Sequence, residues 1–457
     1  MQIVEGNVIS ETPGDFDEIV HILSTNSKSI SRLSLMYDIG VEDATRLFDA
    51  LKTNKTLNWL DLNPGSNIGD TGASALAVAL KTNKTLVILG LENTGIQDAG
   101  AKALANALQK HSSVENLNLM RNKITDTGAK ALANALKTNE CIMHFSVKGN
   151  SIGETGTKAL ADALKVNTTM LSLDLYGNHI GDKGAKAIAD ALKVNTHLKI
   201  INLRETHIGD AGVVALSEAL NENNTLEEFY CSENKAIGTT GVKALASALK
   251  VNKKLITVTL TDNNMGDEGA KFIADVLKSN NTLTTLGLKQ NDIQEAGITA
   301  IAEALKVNKT LKNIDLSRNS FNSSNGINAL SAAFKVNQVL TTVNLANSKL
   351  GDNGAKAIAE ALVVNSNMKA LNMSDNNITD TGAKALAISL VVNNSMKEII
   401  LTENKITDTG VKDLANSLIE NTSLIYIGLE GNLFTNPNPI LEYAVMLKNL
   451  KLMLQSC

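Results

Sequence analysis

Residues 170–197 read MLSLDLYGNHIGDKGAKAIADALKVNTH, and the two halves of this stretch carry different hydrophobic periods. Leu173-Asp174-Leu175 alternates apolar and polar, the period of a half-buried strand. Ala185, Ile188, Ala189 and Leu192 then fall at i, i+3, i+4 and i+7, the stripe of an amphipathic helix. Between them stands Asp182, placed to cap the helix, where an acid suits the positive end of the dipole. Asn195 follows the helix, where a chain commonly turns through a left-handed conformation that Asn tolerates. One strand and one helix of this size cannot bury their own apolar faces, so the stretch predicts neighbours like itself.

The neighbours are there. The opening apolar residue recurs at Ile30, Leu57, Leu86, Val114, Ile142, Met170, Leu198, Leu226, Leu255, Leu283, Leu311, Leu340, Met368, Met396 and Leu424. Such a near-constant period predicts stacked units sharing one continuous core. An Asn recurs after the strand, at 122, 150, 178, 234, 263, 291, 319, 376, 404 and 432. A buried amide there is expected to bond the backbone of its own and the adjacent bend, forming a ladder. Thr94, Thr206 and Ser348 substitute a hydroxyl in the same role. A second Asn series follows the helices, at 54, 83, 139, 167, 195, 223, 252, 280, 308, 337, 365, 393 and 421, with His111 as the exception. Extra residues near Pro64-Gly65-Ser66, near Ala236 and around Ser323-Ser324-Asn325 predict bulged loops.

The Leu-x-x-Leu-x-Leu-x-x-Asn-x-Ile core, the helical second half and the period of about 28 residues resemble leucine-rich repeats of the ribonuclease-inhibitor type. That subtype occurs in the sensor regions of NOD-like receptors and in Ran GTPase-activating proteins. The resemblance covers residues 28–433. It implies an α/β leucine-rich-repeat solenoid, a horseshoe with a parallel sheet on the concave face and helices on the convex face. About fifteen strands at ~4.8 Å would give an inner sheet of roughly 70 Å. Residues 1–27 are expected to form an N-terminal capping unit, with Val4-x-x-Asn7-x-Ile9 as strand and bend and Phe16, Ile19, Val20 and Leu23 as helix stripe. Residues 434–457 are expected to form a C-terminal cap, with a helix from Ile440 to Leu454 after Pro437 and Pro439.

Composition narrows the function classes. The net charge of −4 gives no basic field for nucleic acid. There is no charged-then-apolar leader and no apolar run long enough to span a membrane, so a cytoplasmic chain is expected. Cys141, Cys231 and Cys457 are scattered; they build no disulfide-bonded cap, and Cys231 reads as a small core residue. Glycosylation-type triplets at Asn54, Asn83 and Asn167 belong to the repeat's own turn. There is no phosphate-cradling Gly-rich loop, nucleophile elbow or metal-ligand cluster. No enzyme, catalytic residue, metal or cofactor is therefore expected. His179 and His207 fall one repeat apart and are expected to be neighbours on the surface.

What the repeat leaves free is the set of positions flanking the buried strand residues. The chain has thirty-eight Lys but five Arg, and Arg32, Arg121, Arg204 and Arg318 fall at these inner positions or the adjacent bend; Arg46 does not. So do its one Trp, Trp59, and Tyr37, Tyr176, Tyr230 and Tyr426. Trp, Tyr and Arg dominate interface hot spots, although aromatic residues also favour strands for packing alone. The expected partner-binding set is Tyr37, Trp59, Met120, Arg121, His144, Lys148, Tyr176, Arg204, Glu228 and Tyr230. Twelve acids against six bases line the inner positions, which favours a protein partner with basic patches over a phosphate backbone. The expected function is a monomeric, non-enzymatic protein-interaction scaffold that binds on its concave face. The alternatives are a bacterial effector delivered into a eukaryotic host cell, and a GTPase activator resembling those acting on Ran.

Overall fold

The computed structural model describes residues 2–4, 7–27, 30–110, 113–321, 324–435 and 451–453. The chain divides into two compact units, Met1–Tyr230 and Cys231–Cys457. Within the first, the strands Asn7–Ser10, Arg32–Leu35, Trp59–Asp61, Ile88–Gly90, Asn116–Asn118, His144–Ser146, Ser172–Asp174, Ile200–Asn202 and Glu228–Tyr230 each pair in parallel with the next. A helix follows every strand but the last, from Phe16–Thr25 to Asp210–Glu222, and successive helices pack side by side. The second unit repeats the plan. Its parallel strands run from Thr257–Thr259 to Tyr426–Gly428, and its helices from Thr239–Val251 to Asp408–Glu420. Each unit is thus an α/β solenoid.

Burial explains the spelling of each repeat. All fifteen opening residues are buried, and so are Leu173 and Leu175 on the strand side and Ala185, Ile188, Ala189 and Leu192 on the helix side. Burying a side chain of Leu size is worth about 1.5–3 kcal/mol, and the unit supplies several per repeat.

The strand Asn behaves as the sequence predicts. Asn178 accepts the Ile152 amide at 3.0 Å from the preceding repeat, and its Nδ2 donates to the carbonyls of Val147 (3.0 Å) and Leu175 (2.9 Å). The hydroxyl of Thr206 donates to the Leu203 carbonyl at 2.6 Å. At the first irregular loop Ser66 takes over: it is buried and accepts the Ile39 amide at 3.1 Å.

Two expectations need correction. Asp182 does not cap its own helix, Gly181–Leu192, whose N-terminus has no side-chain cap. Its Oδ1 accepts the amides of Gly209 (2.7 Å) and Gly212 (2.9 Å), at the start of the next helix, Asp210–Glu222. Asp70, Asp98, Asp126, Asp267, Asp352 and Asp380 do the same one repeat on. Stacking sets a first-turn carboxylate beside the exposed amides of its neighbour, so the anion–dipole attraction acts between repeats.

Neither is Asn195 left-handed, nor its equivalents in that series; Asn83 has φ −68 and ψ 129, and Asn223 φ −70 and ψ 121. These residues form a second ladder instead. Asn195 Nδ2 donates to the carbonyls of Leu164 (2.7 Å) and Asn167 (3.1 Å), and its Oδ1 accepts the amides of His197 (3.0 Å) and Leu198 (2.8 Å). A four-bond carboxamide fixes an extended turn, so the left-handed exit is unnecessary. It also buries Asn54, Asn83 and Asn167, which removes their side-chain amides from any modifying enzyme while the unit is folded. Many of the left-handed residues stand instead in the bend, one before the strand Asn or its Thr substitute, as at Arg121 (φ 52), Glu205 (φ 53) and Gly177 (φ 67), while Asn26 (φ 52) makes the left-handed exit at the end of the first helix.

The inter-repeat cap gives a pH prediction. Burial raises the Asp126 carboxyl's affinity for its proton, but bonds from the Thr155 hydroxyl and the Gly153 and Gly156 amides outweigh it. The group is held below its ordinary 3.8. A depressed folded pKa contributes stability above the unfolded value, and that contribution is lost as pH falls through the folded one. Asp126→Asn should therefore destabilise the chain near neutrality, with a deficit that shrinks below pH 3.8. Urea midpoints of both proteins against pH measure this; parallel curves throughout would refute it.

The ends depart from expectation. At the N-terminus Val8 pairs with Leu33 and Ser10 with Leu35, so Asn7 is a strand residue and not the bend. The two buried positions, Val8 and Ser10, decide that register. Gln2–Val4 adds an antiparallel strand, and Ile22 replaces Val20 in the buried stripe of the first helix. Of the C-terminal helix expected over Ile440 to Leu454, residues 440–450 and 454 lie outside the described residues. Lys451–Met453 is a strand, paired in parallel with Tyr426–Gly428. It supplies partners to backbone groups that an edge strand would leave open.

Candidate functional site

The ten expected binding residues all lie in the first unit. The open face of its sheet is formed by the strand residues that alternate with the buried ones. Strand register sorts them into rows. Trp59 lies beside Arg32, while His144 and Glu228 occupy the same row further along, three strand spacings from each other. At ~4.8 Å per spacing they stand about 14 Å apart, so they do not touch. Met120, Lys148, Tyr176 and Arg204 form another row just beyond the strands. Their carbonyls accept the amides of Asn93 (2.8 Å), Arg121 (2.7 Å), Gly149 (2.7 Å) and Gly177 (3.0 Å), which continue the ladder.

Two clusters result. In the first, the Arg32 guanidinium carbon sits 3.6 Å from the centroid of the Trp59 ring. Asp61 lies two residues beyond Trp59 on the same face; burial first, then the charge of Glu92, pushes its carboxyl up, with Arg32 opposing. Arg121 reaches back to Glu92 at 3.5 Å. Tyr37 stands on the bend after the strand Arg32–Leu35, half-buried, its phenol raised chiefly by desolvation.

In the second cluster Tyr176 is held between two cations. Lys148 Nζ lies 4.4 Å from its ring centroid and Arg204 Cζ 5.2 Å. Asp174 is pushed up by burial, an effect that the Tyr176 amide (3.1 Å), the Ser146 hydroxyl (3.3 Å) and Lys148 partly offset. Tyr230 donates its hydroxyl to Glu228; burial, with that bond, pushes the phenol up to about 12. His144 is exposed, and Met120 is half-buried.

Trp59 and Tyr176 are four strand spacings apart, about 19 Å across the sheet. Tyr176 also lies four residues further along the strand direction than the row of Trp59, so they stand roughly 20–25 Å apart. The structure thus places Trp59, Lys148, Tyr176 and Arg204 of the ten in two separate anchors, with Tyr230 and Glu228 as a further pair, and does not gather the set into one pocket. Arg32 and Asp174 belong to these clusters without standing among the ten expected residues. The signal for Arg32 was present in its 27-residue offset from Trp59, which places the two side by side once the strands pair. Asp174 carried no such signal, because its desolvation depends on neighbours from two other repeats.

His179 and His207 are stacked, with centroids 5.0 Å apart and planes 12° from parallel. Among the described residues no group of three or more His, Cys, Asp or Glu is placed to hold a metal ion, and no helix is long and apolar enough to cross a membrane. In the second unit Cys231 is fully buried, and desolvation pushes its thiol up to about 12.

Ten segments, residues 53–77, 82–105, 110–133, 166–189, 194–217, 251–274, 279–302, 336–359, 364–387 and 392–415, match the Leucine Rich repeat family. The chain is a leucine-rich repeat protein. Its period is compatible with the ribonuclease-inhibitor-like subtype. A comparison of this repeat protein with curated proteins finds no match. Among solved structures it is similar to leiomodin-1 actin-binding site 2, at 24% identity over 32% of this chain and 86% of that chain, with a TM-score of 0.30. It is also similar to a chain of the Rad7–Elc1 complex of yeast, at 13% identity over 81% of this chain and 86% of that one, with a TM-score of 0.47. A leucine-rich repeat array with open strand faces points to a protein-interaction scaffold.

Proposed function

We propose that the first unit captures a partner protein on the open face of its sheet, the face that forms the concave side in this subtype. Arg32–Trp59 and Lys148–Tyr176–Arg204 serve as the two anchors. The observation that carries this reading is the stacking of cations on the chain's single Trp and on Tyr176, at 3.6, 4.4 and 5.2 Å. Cation–π stacking immobilises long side chains before binding, so less entropy is lost when a partner docks. A separation of roughly 20–25 Å suits one interface of standard size, roughly 800 Å² per partner. Asp61, Glu92, Asp174 and Glu228 lie among the anchors and favour basic groups on the partner.

The test is a double variant, Trp59→Ala with Tyr176→Ala. Both rings are half-buried, so the repeats should keep their unfolding free energy, read by urea titration, to within about 1 kcal/mol. Capture of the wild-type protein's partners from lysate should fall by about a hundredfold, as loss of two hot spots implies. Recovery of the same partners by a folded double variant would place the binding surface elsewhere.

A further inference from the structure

Several outer helices of the unit Cys231–Cys457 end in a lysine paired with an acid. Lys278 lies 2.9 Å from Asp275, Lys306 2.6 Å from Glu303, and Lys335 3.2 Å from Glu360. The last three repeat helices, Gly351–Val364, Asp380–Val392 and Asp408–Glu420, break this rule. The lysine position holds Val363, Val391 and Ile419, and Ile388 replaces the acid in the middle helix. Val363, Val364, Ile388, Val391, Val392 and Ile419 are 40–61% exposed. The three helices pack side by side, so these aliphatic residues adjoin one another.

The C-terminal half of the middle helix is apolar on both sides: Leu386, Ala387 and Leu390 are buried beneath, while Ile388, Val391 and Val392 face out. A helical turn apolar on every side is ordinarily covered, and a contiguous exposed patch marks an interaction site. Between the ends of the first two helices lies a groove of 440 Å³, walled by Val363, Val364, Val392, Ser395, Lys369 and Lys397. Both lysines are exposed, and no acid lines the groove.

We propose that this groove docks an amphipathic, acidic segment of a partner protein. Apolar side chains of the segment insert between the valines, and its carboxylates meet Lys369 and Lys397. A walled groove accepts discrete side chains, which favours a peptide over a lipid surface, and the two lysines select the sign of its charge. The surface belongs to a different unit and different elements from the Trp59–Tyr176 face, so each proposal stands or falls alone.

Fluorescence anisotropy with a labelled synthetic helix of Leu and Glu, and with its Leu and Lys counterpart, tests this. The wild-type chain should bind the Glu peptide and not the Lys peptide. Val363→Gln with Val364→Thr and Val392→Thr uses residue types that other repeats carry there, at Gln109, Thr82 and Thr138, so folding should persist. It should weaken binding by about tenfold or more, and so should Lys369→Glu with Lys397→Glu. Equal binding of both peptides, or no response to either variant set, overturns the proposal. So does light scattering that shows a second copy of the chain occupying the groove. Binding to phosphatidylserine vesicles in place of the peptide would overturn it too, by assigning the face to a membrane.

Discussion

Asn178→Ala is expected to lower the stability of the unit Met1–Tyr230 by about 3–5 kcal/mol, against a typical loss near 1 kcal/mol for a point substitution. The carboxamide is fully buried and links two repeats, through the Ile152 amide on one side and the Val147 and Leu175 carbonyls on the other. Truncation takes a partner from each of these buried groups, and each orphaned group costs about 1–3 kcal/mol. Those costs overlap, since the bend can relax and water can enter, so the simple sum is an upper bound. The same substitution at exposed Asn134 should change stability by no more than about 0.5 kcal/mol. Urea titration of both variants makes the comparison. A loss below about 1 kcal/mol at Asn178 would mean that the ladder is ornamental.

Gly382→Ala should destabilise the unit Cys231–Cys457 by about 2 kcal/mol, although helix propensity alone favours Ala by about 1 kcal/mol. Gly382 lies in the first turn of Asp380–Val392. A Cβ there would stand 2.6 Å from Ile378 Cγ2, 2.7 Å from Asp352 Oδ1 and 2.9 Å from Ala355 Cβ. None of these atoms can easily give way. Asp352 is pinned by the amides of Thr379 (2.8 Å) and Gly382 (3.0 Å) and by the Thr379 hydroxyl (2.7 Å). Overpacking costs about 1–3 kcal/mol and a lost cap about 0.5–2 kcal/mol, so the clash outweighs the propensity. A raised urea midpoint for Gly382→Ala would show that the repeats have slack between them. At Gly382, as at Gly100, Gly128, Gly156, Gly212, Gly297 and Gly410, the capping Asp of the preceding repeat occupies the space a Cβ would need.

Much of the candidate site was legible because each inner position recurs with the repeat. Trp59, Tyr176 and Arg204 could be assigned to the open face from spacing alone. Their partners could not, because a side chain's neighbour across the sheet lies about 28 residues away and depends on register. Arg32 on Trp59 and the two cations on Tyr176 become visible only after strands pair. At the N-terminus the repeat spelling misled: Val4-x-x-Asn7-x-Ile9 looks like strand and bend, but Val8 and Ser10 are the residues that reach the core.

Asp182 and Asn195 show where the boundary lies. From the sequence by itself follow the alternation of strand and helix, the buried set and the stacking, because these depend on apolar periods that one repeat already contains. Which helix each Asp caps, and that the post-helix Asn is extended and four-fold bonded, was decided by tertiary structure alone. A carboxylate or carboxamide satisfies whichever backbone groups stacking brings within about 3 Å. For the Asn those groups belong to the preceding repeat as well as to its own turn, and for the Asp to the following repeat.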